Sequence, residues 1–354
     1  MTACTCILAL ETSCDETAAA VVELRGECVV VRSEIVITQD ALHAEYGGVV
    51  PELASRAHLE KLTPAIRAAL EQAAITPREL AAVAAGHRPG LIGSLLVGTS
   101  AAKAFAWSIE KPFLGVDHVQ AHVAACHLAP HHAPRYPAIG LIASGGHTHI
   151  LFMRDALQAE VVARTRDDAA GEAFDKAASI LGVGWPGGPM IERLAATGNA
   201  HAFAFAAGRF AGSPDFSFSG LKTALLYTVR GVPNAPNRPP RAPPPPLDSQ
   251  RIADLSASFQ HAAVAAIERG LQRVFALHPT STLLAGGGVI RNHAMRAMLA
   301  RVAMHHNATL HLAQPQHCTD NAAMIGALAA LRFAAGERDA LSLSAEPYSL
   351  LHRA

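Results

Sequence analysis

An arrangement that occurs twice along the chain limits the folds open to it. In the first half, the apolar runs Ile7 to Leu10 and Ala18 to Val22 flank a polar segment at 11–17. Two such runs around a short polar segment predict a β-hairpin with a polar tip. The second half repeats the pattern, with apolar runs at 138–143 and 150–153.

Each half also contains a predicted strand, a glycine loop and a predicted helix, in that order. The strand at 81–85 precedes a loop with three glycines and a helix from about 94 to 108. Later, the strand at 282–285 precedes Gly286–Gly288 and a helix from about 292 to 303. The repeated plan predicts a duplicated α/β domain with a ligand site in the cleft between its halves. The alternative is an ordinary α/β protein that contains several such units.

Composition limits the classes of function. Of the 354 residues, 50% are apolar and 16% are charged, which excludes a disordered chain. The 29 Lys and Arg residues balance 29 Asp and Glu residues, so net charge gives no argument for nucleic-acid binding. The six cysteines include no CxxC pair, and we find neither a signal peptide nor a long uninterrupted apolar run. We therefore expect a reduced, soluble, cytoplasmic protein that does not enter a membrane.

Two histidines four residues apart form a candidate metal site. On a helix, His118 and His122 face the same side and could bind one ion. Val119 replaces the glutamate of an HExxH zinc peptidase, and a chance pair among 19 histidines is the alternative. Asp320, just before an alanine-rich helix, is a candidate third ligand, although it could instead be the N-cap of that helix. Two histidines and one carboxylate leave coordination positions open for substrate oxygens.

Glycine-rich turns are candidate nucleotide sites. Residues 144–148 combine unobstructed backbone N–H groups with two hydroxyls, which suits a phosphate or carboxylate, and 286–288 could act in the same way. Tight turns that need positive φ are the alternative. Neither segment matches GxGxxG or GxxxxGK[ST], which disfavours Rossmann and P-loop proteins. Acidic residues beside turns are further candidates, with salt-bridged surface positions as the alternative: Asp15, Glu16, Glu172, Asp175 and Glu192.

A proline-rich segment interrupts the second half. Residues 231–246 read GVPNAPNRPPRAPPPP and cannot form a helix or a central strand. Because predicted helices at 221–229 and about 251–277 flank it, we expect an exposed insertion within a domain. A PxxP ligand is the alternative.

Taken together, these segments resemble the tRNA N(6)-adenosine threonylcarbamoyltransferases, a family whose fold is related to actin, sugar kinases and heat-shock ATPases. The matching stretches run in family order over nearly the whole chain. They are LETSCDETAAAVV, HAEYGGVVPELASRAHLEKLTPAI, PGLIGSLLVGTSAAKAFAW, GVDHVQAHVAA, ASGGHTHI, GEAFDKAASILGVGWPGGP, FSFSGLKTAL, AGGGVIRNHAMR and CTDNAAMIG.

The resemblance implies a duplicated actin-like, ribonuclease-H-like α/β fold with two lobes and a central cleft. Residues 1–112 with 325–354 would form one lobe, and 113–324 the other, with the proline-rich insertion at 231–246. The implied reaction transfers the threonylcarbamoyl group from threonylcarbamoyl-AMP to N6 of adenosine 37, in tRNAs that read codons beginning with A. The implied partners are tRNA, a paralogous heterodimer subunit and a small ATPase subunit.

The resemblance also implies roles for particular residues. One divalent metal ion per subunit, Fe²⁺ in preference to Zn²⁺, would be held by His118, His122 and Asp320. Asp15 and Glu16 would lie near the reacting centre, where we expect Asp15 to assist deprotonation of the amine. The adenylate part of the donor would be bound by Ile142, Ala143, Ser144, Gly145, Gly146, Asp175, Gly188, Glu192 and Asn292.

The sequence departs from the family pattern at one loop, and three other functions stay open. Arg88 precedes Pro89-Gly90 where the family usually has glycine, so this loop either changes shape or contacts a phosphate. Trp185 replaces a common tyrosine. The other functions are a metallopeptidase, an ATP phosphotransferase of the same fold superfamily and a non-catalytic assembly subunit. The missing HExxH argues against the first, and the retained His–His–Asp set against the last.

Overall fold

Two five-stranded sheets with the same strand order form the framework of the molecule. The computed structural model describes residues 5–26, 28–46, 48–128, 133–232, 247–349 and 351. The first sheet has the order β3-β2-β1-β4-β5, and the second has the order β8-β7-β6-β11-β12. The strands are β1 (Thr5–Glu11), β2 (Thr17–Arg25), β3 (Cys28–Ile37), β4 (Leu80–Arg88), β5 (Phe113–Asp117), β6 (Ala138–Ala143), β7 (Thr148–Met153), β8 (Ala159–Arg164), β9 (Gly208–Arg209), β10 (Phe216–Ser217), β11 (Thr282–Gly286) and β12 (Thr309–Leu312).

The pairing directions of the two sheets also agree. In each sheet, three antiparallel strands in series are continued by two parallel strands. Helices connect and cover the sheets. They are α1 (Asp40–Ala44), α2 (Pro51–Ala73), α3 (Ile92–Ser108), α4 (His118–Ala124), α5 (Ala170–Leu181), α6 (Gly187–Ala195), α7 (Ser219–Arg230), α8 (Ser249–Leu277), α9 (His293–His305) and α10 (Ala322–Ala334).

Alternation along β1 explains why helices cover both faces of the first sheet. Ile7 and Ala9 belong to the apolar cluster on one face, whereas Leu8 and Leu10 belong to the cluster on the other. Successive side chains of a strand point to opposite faces, so an apolar run without polar interruption buries both. Helices α2 and α3 pack on one face, and α10 packs on the other. Burial on both faces is what the sequence of β1 requires.

The short helix α4 lies where the two sheets approach each other. It follows β5 of the first sheet directly and also contacts β6 and β11 of the second. Gly286, at the end of β11, lies so close to the carbonyl group of His122 that a Cβ atom there would collide with it. On its other side, α4 packs against α10. Residues from both halves therefore meet around α4.

The predicted duplication is confirmed by the shared strand order, and with it the α/β fold class. Both hairpins and both strand–glycine–helix units are present at the predicted positions. The proposed lobes, 1–112 with 325–354 and 113–324, stay a prediction, and β5 pairs within the first sheet. The proline-rich stretch lies outside the described residues from 233 to 246. Among the residues described, we find no helix with the length and apolar character needed to cross a membrane.

Candidate active site

His118, His122 and Asp320 converge at the junction of the two halves. The two imidazoles project from consecutive turns of α4, with ring centroids 4.8 Å apart. The Oδ1 atom of Asp320 lies 3.4 Å from Nε2 of His118 and 3.6 Å from Nε2 of His122. All three ligand atoms lie within 4.8 Å of one another. The side chains that the sequence singled out as a metal set are thus brought together by the fold.

The two carboxylate–imidazole separations and the burial of His122 fit a bound cation. Two ligand atoms that each lie about 2.1 Å from one ion are roughly 3 to 3.6 Å apart. Both ring nitrogens of His122 are buried and form no hydrogen bond within the described part of the chain. A buried nitrogen without a partner calls for an explanation, and an ion at Nε2 supplies one. Two imidazoles and one carboxylate are a donor set for Fe²⁺ or Zn²⁺.

The electrostatics of the three groups show how strongly they interact. Burial by itself lowers the pKa of His118, but the carboxylates of Asp320 and Glu11 outweigh burial and hold this pKa well above its usual value. Burial, followed by the neighbouring His118, lowers the pKa of His122 to about 4. For Asp320, burial opposes the charged form, yet the histidines hold its pKa well below its usual range. An ionised carboxylate thus faces two imidazoles.

Asp320 does not cap the helix that follows it, which settles one of the alternatives. The N-cap of α10 is Asn321, whose side-chain oxygen accepts a hydrogen bond from the backbone N–H of Met324 at 2.8 Å. The amide of Asn321 donates to the carbonyl oxygens of His317 and Thr319. These bonds fix the loop before α10 and leave the carboxylate of Asp320 directed at the histidines.

Glu11 and Ser13 orient His118, and sequence reasoning missed both. Oε2 of Glu11 lies 3.0 Å from Nδ1 of His118, and Oγ of Ser13 lies 3.2 Å from the same atom. A histidine that binds a metal through Nε2 commonly donates its Nδ1–H to such a carboxylate. Glu11 is buried at the end of β1, and a charged residue closing a fully apolar strand was the available signal.

The hairpin tip with Asp15 and Glu16 lies close to the histidine pair. Ser13, two residues before Asp15, already contacts His118. Burial raises the pKa of Glu16 to about 10, with further contributions from the charges of Asp320 and Asp15. Asp320 therefore lies within electrostatic reach of the tip. Burial and these neighbouring charges therefore disfavour the charged form of the Glu16 carboxyl group.

The glycine loops lie side by side next to this centre. The carbonyl of Ser144 accepts from the N–H of Gly171 at 3.1 Å, which joins the β6–β7 turn to the beginning of α5. Gly287 has φ of 104° and lies so close to the carbonyl of Ala143 that a Cβ would collide with it. Gly145 and Gly146 are exposed, and a Cβ at either would meet nothing. The two predicted glycine turns therefore form one surface.

The remaining predicted adenylate residues border this surface. Oδ1 of Asp175 accepts from the N–H of Gly187 at 2.8 Å, and Gly188 also donates to this carboxylate. Oε1 of Glu192 accepts from the N–H of His293 at 2.7 Å. Asn292 caps α9 and donates to Oε1 of Gln260 at 2.7 Å. Ile142 and Ala143 are buried in β6, so their side chains face the core and only the backbone is available to a ligand.

Arg88 belongs to a cluster of charged residues at the N-terminus of α4. Its guanidinium lies 3.3 Å from Oδ2 of Asp117 and 3.3 Å from Oε2 of Glu346. Asp117 is the N-cap of α4 and accepts from Val119 and Gln120. Arg88 therefore supports the helix that carries both histidines.

Comparison with known proteins shows which proteins this chain resembles. Residues 30–327 match the family model of tRNA N6-adenosine threonylcarbamoyltransferase, TsaD. The protein of that name from Symbiobacterium thermophilum is 45% identical over 96% of this chain and 95% of its own length. Its counterpart from Sorangium cellulosum is 42% identical over 98% of this chain and 97% of its own length.

A solved structure supports the fold independently of close sequence similarity. Full-length HypF in its phosphate- and nucleotide-bound form matches 98% of this chain and 47% of its own, with a TM-score of 0.57 at 14% identity. This likeness concerns the fold alone. The family match and the curated relatives establish membership: the chain belongs to the tRNA N6-adenosine threonylcarbamoyltransferase family.

Proposed function

We propose that this chain uses threonylcarbamoyl-AMP to modify N6 of adenosine 37, in tRNAs that read codons beginning with A. Family membership supports the threonylcarbamoylation of tRNA adenosine. The observation that carries the finer proposal is the convergence of His118, His122 and Asp320 beside the glycine surface. An acyl-adenylate needs a group that polarises its acyl oxygen and a surface that binds its nucleotide. The histidine–aspartate set would serve the first need and the glycine surface the second.

His118, His122 and Asp320 would hold one divalent cation, Fe²⁺ in preference to Zn²⁺. A set of two histidines and one carboxylate with open positions is typical of non-haem iron sites. When bound, the cation supplies Lewis-acid polarisation of substrate oxygens. Glu11 would keep His118 in the tautomer whose Nε2 lone pair is free.

The adenylate part of the donor would bind across the glycine surface. Unobstructed N–H groups at Gly145 and Gly146 suit phosphate oxygens, since no Cβ lies in the way. Gly188, whose N–H donates to Asp175, would line the same surface without a side chain. Asp175 and Glu192 hold the turns around this surface through the N–H groups that they accept. The surface would also include Ile142, Ala143, Ser144 and Asn292. The adenylate would thereby place its reactive carbonyl towards the histidine pair.

Asp15 would accept the proton of the attacking amine. The leaving group, AMP, is already a good one, so the chain's main tasks are to orient the exocyclic amine and to stabilise developing negative charge. Burial and the neighbouring carboxylates raise the pKa of Glu16 and so disfavour its charged form. Asp15, on the same tip, is the available carboxylate.

The proposed partners are tRNA, a paralogous heterodimer subunit and a small ATPase subunit, in the cytoplasm where tRNA is modified. The chain has no net charge. Several of its cations are already engaged: Lys222 pairs with Asp168, and Lys103 donates to the carbonyl of Leu343. Because tRNA binding draws on positive charge, partner surfaces would supply part of it.

The reconstituted complex tests this proposal through transfer of labelled threonylcarbamoyl to tRNA. We expect the wild-type chain to label adenosine 37, His118→Ala to abolish labelling, and Asp15→Asn to lower kcat by about 10² to 10⁴ while donor binding stays measurable. Wild-type protein that hydrolyses peptides or phosphorylates a small acceptor without labelling tRNA would contradict the proposal. Unchanged kcat in Asp15→Asn would show that the base lies elsewhere.

A further inference from the structure

We propose that His58 is a positioning residue that clamps the Asp15–Glu16 tip from both sides, and that Gln39 and His43 fix the orientation of its ring. This inference rests on the proposed function, because the tip matters only if it acts in transfer. His43 and His58 both lie in the stretch HAEYGGVVPELASRAH, which the metal and adenylate assignments leave without a role.

The imidazole of His58 contacts the residues immediately before and after the tip. Its Nε2 lies 3.1 Å from the carbonyl oxygen of Cys14, and its Nδ1 lies 2.8 Å from Oγ1 of Thr17. Residues 15 and 16 are the two positions between these anchors. His58 projects from α2, so a rigid helix sets the position of the tip. His58 and Thr17 are fully buried.

The carbonyl of Cys14 determines which nitrogen of His58 carries the proton. The carbonyl of Cys14 can only accept, so Nε2 of His58 carries the hydrogen. Burial lowers the pKa of His58, which supports a neutral ring. Nδ1 of a neutral ring is then a lone pair, which accepts from the hydroxyl of Thr17. The ring thus has one donor and one acceptor, and each is used on one side of the tip.

The hydrogen bonds that link His58 to Gln39 and His43 place the proton of His58 on the same nitrogen. The backbone N–H of Val50 can only donate, so Nδ1 of His43 accepts and Nε2 of His43 carries the hydrogen. That Nε2–H donates to Oε1 of Gln39 at 3.2 Å. The amide nitrogen of Gln39 then faces Nδ1 of His58 at 3.3 Å and shares the single lone pair of that atom with the hydroxyl of Thr17.

Both ends of this network therefore require the same tautomer of His58. Gln39 and His43 are each 1% exposed, so water does not compete for these bonds. The other tautomer would place a donor against the amide nitrogen of Gln39 and a lone pair against the carbonyl of Cys14, and both contacts would be repulsive. Gln39 and His43 thus hold the imidazole of His58 in one orientation. In that orientation the imidazole holds the Asp15–Glu16 tip beside the histidine pair.

Two substitutions at His58 separate this role from ordinary core packing. In His58→Gln, the amide nitrogen occupies roughly the position of Nε2 and still donates to Cys14, whereas in His58→Asn the shorter side chain loses that bond. We expect His58→Gln to keep kcat for transfer within about threefold, and His58→Asn to lower it by about tenfold to hundredfold. KM for tRNA and metal content should not change, because neither site is touched.

A combination with Asp15→Asn shows whether His58 acts through the tip. If it does, His58→Asn has little further effect on kcat in an Asp15→Asn background, since residues that act as a unit are not additive. His306→Asn is the control, because this half-buried histidine hydrogen-bonds Gln272 far from the tip. If His58→Asn does not fold, Thr17→Val removes one anchor at nearly constant shape and is expected to lower kcat in the same direction.

The possible failures are distinguishable. Wild-type transfer together with unchanged kcat in His58→Asn, or with fully additive losses in the double variant, would overturn the clamp and leave the proposed function intact. Absence of transfer by the wild-type complex would overturn the proposed function instead.

Discussion

At position 286, a single Cβ atom would be enough to displace α4, because the backbone of that helix occupies the space where a side chain would begin. A Cβ there would collide with the carbonyl oxygen of His122 and come within 2.6 Å of its carbon. Backbone atoms cannot rotate away as a flexible side chain can. Helix α4, which carries both histidines, can therefore approach β11 only if residue 286 is glycine.

We expect Gly286→Ala to lower the free energy of unfolding by about 1–3 kcal/mol and to weaken metal binding. The reason is that α4 must shift and carry both histidines with it. Urea unfolding and titration with Zn²⁺ measure the two effects. Gly288→Ala is the matched control, since a Cβ there meets nothing within 4 Å. Equal behaviour of the two variants would show that the close approach has no energetic consequence.

At the scale of elements, α4 is too short to be stable without its N-cap. It spans seven residues, and isolated helices of that length do not form in water. Asp117 accepts from two N–H groups at its beginning, while Arg88 and Ser349 contact the other carboxylate oxygen of Asp117. The last described segment of the chain thus supports the helix that begins with His118.

Asp117→Ala should therefore lower stability by about 1 kcal/mol and weaken the binding of Zn²⁺ as the first turn of α4 frays. Asp117→Asn keeps an oxygen that can accept from the same N–H groups, so we expect it to retain most of the metal affinity. Calorimetric titration of both variants checks this. An alanine variant with wild-type affinity would mean that packing alone holds α4 in place.

Much of the element plan was predictable from sequence, because apolar runs and glycine turns mark strands and their ends. The two hairpins and the helices after Gly93 and Gly288 are examples. The contacts of Glu11 and His58 were not predictable, since they join residues more than forty positions apart through single hydrogen bonds. The sequence offered Asp320 as a candidate third ligand but left it open as a helix N-cap, because spacing along the chain does not show which way a side chain points.

For the whole molecule, buried neutral histidines make stability depend on pH. His127 is 5% exposed, and its Nε2 lies 2.7 Å from the hydroxyl of Tyr136. Burial lowers its pKa from 6.5 to about 4. His149 has a pKa lowered to about 4 by burial and by Arg164. Both groups lie outside the metal set.

We expect the free energy of unfolding to fall as pH decreases from about 6.5 to about 4. In that range the unfolded chain binds a proton at His127 that the folded chain does not, so protonation favours unfolding. A shift of this size is worth about 3 kcal/mol. Urea unfolding at several pH values measures it. His127→Gln, which cannot titrate but can bond Tyr136, should flatten this dependence, and an unchanged slope would contradict the assignment.

The central claim is that two imidazoles and one carboxylate from distant parts of the chain bind a single ion. Calorimetric titration of the metal-free chain with Zn²⁺ and, without oxygen, with Fe²⁺ tests it most directly. We predict one ion per chain for the wild type and loss of that binding in Asp320→Ala. A wild-type chain that binds neither ion, or an Asp320→Ala variant that binds as tightly as the wild type, would contradict the account.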